Sequence, residues 1–225
     1  MALLTGLLRR RIRFSPASVA AGYLDLNAAT LAGADNDPIS AIPDSFGLSH
    51  ALTTTAPSAT APTLKLALQN GRNVVRFNGT TDKLYGTFGV ALAQPFTVLL
   101  ALAPKSAAMG QFFDSTNRAL LGMSAVPVYQ QYAGSTILTG GTPDTNWHVY
   151  SCKFAGASSR VRLDGVSIIT GNPGTVSLGD LFLGGDINPG GVKQMDFGRM
   201  LGYSGLSDAN ELLLEAYLKA EWGVL

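Results

Sequence analysis

The chain has 225 residues, 26 of them glycine and 11 proline, with 14% charged residues and a formal net charge of +1. This length can bury a sizeable core, as one large β domain or two small ones. The single cysteine, Cys152, excludes an intramolecular disulfide and a Cys-rich metal site. No apolar run approaches the ~20 residues that a bilayer-crossing helix needs.

Residues 1–22 read as an N-terminal arm, extended or helical. Leu3, Leu4, Leu7, Leu8 and Ile12 make one stripe if helical, beside Arg9, Arg10, Arg11 and Arg13, and no acidic residue precedes Asp25. Without those arginines the body is slightly acidic, and a basic arm on an acidic body suggests a tether. The leucines precede the charges, the reverse of a secretory signal. A helix this short is marginal alone in water. The arm is therefore expected to order against a partner, with a disordered arm and a membrane-surface helix as competing readings. Leu4, Leu7, Leu8, Arg9, Arg10, Arg11 and Arg13 are the candidate partner-binding residues.

Tyr23 to Asn27 reads as the first strand of a body spanning 23–225. Residues 30–63, punctuated by Pro38, Pro43, Pro57 and Pro62, read as an irregular excursion. From Asn73 onward β signals are dense. Val75 and Phe77 alternate with Arg76, and Asn78-Gly79 supplies a turn. Phe96 to Ala103 is the longest apolar run and suits a fully buried strand. Gln111-Phe-Phe, Ala119 to Met123 and Val126 to Tyr132 are short strands, the last starting late or lying at an edge because of Pro127. Trp147 to Phe154 and Ser159 to Val166 form a hairpin pattern, with Arg160 and Arg162 facing out and Asp164-Gly165 turning the chain.

One helix closes the chain. Ser207 is a good N-cap, Asp208 and Glu211 suit the positive end of the dipole, and Gly223 suits a left-handed stop. Leu214, Tyr217, Leu218 and Trp222 share a face that Leu213 widens, while Glu215 and Lys219 are expected to pair on the outer side. About a dozen short strands and one helix point to an all-β fold.

Four stretches, in order, resemble a known family: Val74-Val-Arg-Phe-Asn-Gly-Thr-Thr-Asp-Lys-Leu, Phe96-Thr-Val, Asn146-Trp-His through Asp164-Gly, and Gly205-Leu-Ser-Asp-Ala-Asn through Glu221-Trp-Gly. Together they are similar to the concanavalin A-like lectin/glucanase superfamily, in its laminin G-like jelly-roll branch. The resemblance implies a two-sheet jelly-roll sandwich with one C-terminal α-helix. One departure is at Arg199-Met-Leu-Gly, where family members often carry a glutamate. Lone domains of this kind resemble those of bacteriophage structural proteins and bacterial surface proteins.

The chemistry is sparse. A glycanase needs two carboxylates flanking the scissile bond, yet all three glutamates (Glu211, Glu215 and Glu221) fall on the closing helix. His148 shares strand parity with Tyr150 and Cys152 and reads as a strand cap, and Cys152 as a small buried hydrophobe. Asp82, Asp180 and Asp186 lie in Gly-rich loops where turn formation outweighs calcium binding. No cofactor, metal, nucleic-acid or membrane partner is expected. Tyr129, Tyr132 and Trp147 are the candidate glycan platforms, although Trp147 occupies a motif position that usually packs. The leading expectation is a non-enzymatic virion protein, assembled in the host cytoplasm. It would be a capsid decoration or accessory protein whose arm docks on the major capsid lattice, and a homo-oligomer is expected, a trimer being one option. The alternative is a glycan-binding adhesion module of a phage tail or cell surface.

Overall fold

The structure, a computed structural model, describes residues 14–54, 60–187 and 191–225. The candidate arm residues Leu4, Leu7, Leu8, Arg9, Arg10, Arg11 and Arg13 lie outside the described residues. In chain order the strands are β1 (Gly22–Asn27), β2 (Ala41–Ile42), β3 (Leu52–Thr54), β4 (Thr63–Gln69), β5 (Arg72–Asn78), β6 (Leu84–Gly86), β7 (Phe96–Pro104) and β8 (Gly110–Ser115). They continue with β9 (Ala119–Met123), β10 (Tyr129–Ala133), β11 (Leu138–Gly140), β12 (His148–Phe154), β13 (Ser159–Leu163), β14 (Val166–Gly171), β15 (Leu181–Leu183) and β16 (Gln194–Ser204). Helix α1 (Asp208–Trp222) follows. The expected excursion at 30–63 thus contains two very short strands, β2 and β3, which pair at the edge of a sheet.

The strands form an all-β, two-sheet jelly-roll sandwich. The first sheet runs β14-β13-β12-β7-β16-β5-β4, with β1 also on β16; the second runs β11-β10-β9-β8-β15-β6-β3-β2. The eleven-residue β16 is long enough to pair with β5 over its first half and β1 over its second, while β7 flanks its other edge. Strand β7 shows why its sequence is continuously apolar. Phe96, Val98, Leu100 and Leu102 enter the core between the sheets, whereas Leu99 and Ala101 enter a second cluster beneath α1. A strand buried on both faces has no polar side to display. Aromatic pairs fill the inter-sheet core, with Phe96 stacked on Phe154 at 4.7 Å and Phe112 against Tyr150 at 5.3 Å.

Local chemistry sets the connections. Asn78 Oδ1 accepts hydrogen bonds from the amides of Thr80, Thr81 and Asp82, and Gly79 supplies φ 75°. Asp164 and Gly165 both take positive φ between β13 and β14, as a tight hairpin turn requires. At α1, Ser207 Oγ accepts from the Asn210 amide at 3.3 Å, and Gly223 ends the helix at φ 65°.

Two expectations for α1 are corrected. Leu213 is 51% exposed and does not widen the buried face. Glu215 does not pair outward with Lys219: it is buried and bonded to Arg162 at 2.8 Å. The reason lies across the interface. Arg160 and Arg162 leave β13, and Arg199 leaves β16, on the face that α1 covers. Their guanidinium groups draw the carboxylates inward, with Arg160 2.6 Å from Glu211 and Arg199 2.9 Å from Glu221. Between these pairs Leu214, Leu218 and Trp222 pack on the sheet. Trp222 lies over Gly198, where a Cβ would come within 2.8 Å of the indole.

Candidate functional site

The outer face of the first sheet is occupied by α1. Among the described residues no helix covers the outer face of the second sheet, where Tyr132 is partly exposed, Gln111, Leu120 and Gln130 are largely buried and Asp114 is fully buried. Cross-strand register fixes which side chains lie on this face, because directly paired residues share a face. One row runs Thr139, Gln130, Gly122, Gln111 across β11, β10, β9 and β8. A second runs Asp114, Phe182, Tyr85, Thr53 across β8, β15, β6 and β3. Tyr132 stands opposite Leu120 on the same face as the first row.

These rows border a shallow depression of ≈ 360 Å³ lined by Gln111, Arg118, Leu120, Gln130, Tyr132 and Ile137. Gly122 makes room for it, since a Cβ there would fall 2.0 Å from Gln111 Oε1. Gln130 Nε2 donates to Gln111 Oε1 at 3.2 Å. That bond orients the two amides and leaves Gln111 Nε2 and Gln130 Oε1 without a hydrogen bond among the described residues. Arg118 sits in the β8–β9 turn with φ 65°, its amide bonded to Ser115 O at 2.8 Å. Its Nη1 donates to Asp114 Oδ2, and Asp186 Oδ2 lies 3.9 Å from the same nitrogen. Nε and Nη2 of Arg118 make no hydrogen bond among the described residues. Burial raises the Asp114 carboxyl to about 6, against the opposing pull of Arg118. Half-exposed Tyr132 gives the depression an aromatic wall. An aromatic wall with a few oriented donors and acceptors is the usual make-up of a small-ligand site.

The three sequence-selected aromatics separate. Tyr132 joins the depression. Tyr129, three residues away on the same strand, faces the core, is fully buried and lies 3.2 Å from the Tyr150 hydroxyl, so its ring offers no surface platform. Trp147 stacks on Trp222 at 5.5 Å with an interplanar angle of 4°, which makes it part of the helix interface. Gln111, Arg118 and Gln130 were not singled out by sequence; only cross-strand register brings them together. Elsewhere, His148 is held between Asp164 and Asp144 at 2.5 and 2.8 Å. Asp82 and Asp180 accept loop amides, from Asn78 and Phe88 respectively. Among the described residues no group of three or more His, Cys, Asp or Glu side chains is placed to hold a metal ion.

A larger cleft of ≈ 760 Å³ opens at one end of the sandwich beside Gln94, Pro95, Lys153 and Gly156. Its Gln94 and Lys153 side chains are already engaged. The Gln94 amide bonds Gly174 O, Val176 O and the Gly156 amide, and Lys153 pairs with Asp208 at 2.8 Å. It has no aromatic lining residue, so the depression on the second sheet is the better-equipped site.

No family model matches the sequence, and no curated protein sequence matches it. Solved structures do. One is a Trypanosoma rangeli sialidase in complex with 2,3-difluorosialic acid, at TM-score 0.62 and 12% identity over 90% of this chain and 33% of the sialidase chain. Another is the ligand-binding domain of botulinum neurotoxin serotype D in complex with N-acetylneuraminic acid, at TM-score 0.63 and 11% identity over 90% of this chain and 52% of that one. The chain spans about a third to a half of these neighbours. At such identities the likeness establishes the β-sandwich fold.

Proposed function

We propose that the chain is a non-catalytic glycan-binding module whose site is the outer face of the second sheet. The observation that carries this reading is the grouping of Tyr132, two oriented amides and the unengaged edge of Arg118 in one depression on an uncovered sheet. The tyrosine ring suits the apolar face of a pyranose, and the amides suit its hydroxyls. The Arg118 guanidinium offers a planar pair of donors to a sugar carboxylate, so acidic sugars are the preferred class. The solved neighbours, two of them holding sialic-acid-type ligands, support the glycan reading over the capsid-decoration reading, whose motivation lies in the arm outside the described residues. Non-catalysis fits the carboxylates: Glu211, Glu215 and Glu221 are buried and engaged with arginines, and Asp114 is buried against Arg118. A glycan array probed with wild type and Tyr132→Ala tests the proposal. Binding to acidic glycans that the variant loses is expected; silence across neutral and acidic sugars alike contradicts it.

A further inference from the structure

Helix α1 carries apolar side chains on its outer face as well as on its buried one. Its glutamates Glu211, Glu215 and Glu221 are buried, while Ala209, Leu212, Leu213, Ala216 and Ala220 are exposed. These five residues follow at offsets of three, one, three and four, so they form a single uncharged face over about three turns. Leu212 and Leu213 are 50% and 51% exposed. An apolar helical face of this length facing water is uncommon in a folded chain and marks a contact surface.

The chain itself supplies an occupant of fitting chemistry and position. The described structure begins at Phe14, whose ring packs edge-on against Tyr217 of α1 at 5.8 Å. Just beyond, the Tyr203 hydroxyl donates to Pro16 O at 2.9 Å and Val19 is buried in the cluster under α1. Tyr217 lies one turn from Leu213 and borders the exposed face, so the described chain begins at that rim, with residues 1–13 preceding it in sequence. They carry Leu3, Leu4, Leu7, Leu8 and Ile12. As a helix, residues 3–12 would span about 14 Å, against about 17 Å from Ala209 to Ala220. In sequence, Arg9, Arg10, Arg11 and Arg13 immediately precede Phe14, which packs beside the C-terminal half of α1. The negative end of the helix dipole favours cations there. The body is acidic: with those four arginines set aside, 12 Lys and Arg face 15 Asp and Glu.

We propose that the leucine stripe of residues 1–13 docks on the Ala209–Leu213–Ala220 face of α1 in the same molecule. This inference is independent of the glycan reading. The test places a nitroxide label on Leu7→Cys in the full-length protein, where buried Cys152 is protected from labelling, and records amide spectra. The amide signals of Leu212, Leu213 and Ala216 are expected to lose most of their intensity, equally after tenfold dilution. Leu213→Lys, at an exposed position, should restore them. Undiminished α1 signals in the labelled protein overturn the proposal. So does broadening in a mixture of labelled, isotope-silent chains with unlabelled, isotope-enriched ones, because the occupant would then be a second copy.

Discussion

His148 shows how one side chain is fixed and what that does to its proton. Its Nδ1 lies 2.5 Å from Asp164 and its Nε2 2.8 Å from Asp144. Burial alone would lower its pKa, but the two carboxylate bonds outweigh burial and raise it above the ordinary value. A raised folded-state pKa stabilises the fold fully below the unfolded value of about 6.5, and that contribution is lost as pH rises through the folded value. Urea unfolding of wild type and His148→Asn should therefore show the larger gap at pH 5.5 and a narrowing gap towards pH 9. A gap that widens with pH would contradict the assignment. Parity, the same local rule that placed His148, also separates Tyr129 from Tyr132. Three residues apart on one strand, they must face opposite sides, and the sequence alone does not say which side is core. Trp147 was marked by sequence as a packing position, and its partner Trp222, 75 residues on, gives the reason.

At the level of elements, the closing helix is the instructive case. Its start and stop are written in adjacent residues, Ser207 and Gly223, and so were readable without the structure. The direction its glutamates face was not, because the partners Arg160, Arg162 and Arg199 come from distant strands. Arg199 has a dense set of partners: it donates two bonds to Asp25 at 2.8 and 2.7 Å, two to Glu221 at 3.0 and 2.9 Å, and one to the Tyr217 hydroxyl oxygen at 3.2 Å. It thereby ties β1, β16 and α1 together. Arg199→Met strands two buried carboxylates and should cost about 3–5 kcal/mol in chemical denaturation. Asp208→Asn, which breaks only an exposed pair with Lys153 and Arg160, should cost no more than about 1 kcal/mol. Equal costs would mean that burial does not govern these pairs.

Among the described residues the layers run helix, sheet, sheet, and this order leaves one broad sheet face without a covering helix. The layering was largely legible: the unbroken apolar run of β7 announced a strand buried on both sides, and a single amphipathic-looking helix had one sheet to lie on. The site was not, because Gln111, Arg118 and Gln130 meet through the pairing of β8, β9 and β10, and pairing register is not a local property of sequence. The central claim is that this open face binds acidic sugars. Its most direct test is titration of the isotope-enriched protein with N-acetylneuraminic acid and with neutral hexoses, following backbone amides. The expected result is acid-sugar shifts concentrated at Gln111, Arg118, Leu120, Gly122, Gln130 and Tyr132, and lost in Arg118→Ala. Shifts confined to the cleft beside Pro95 or to α1, or no shifts with any sugar, would contradict it.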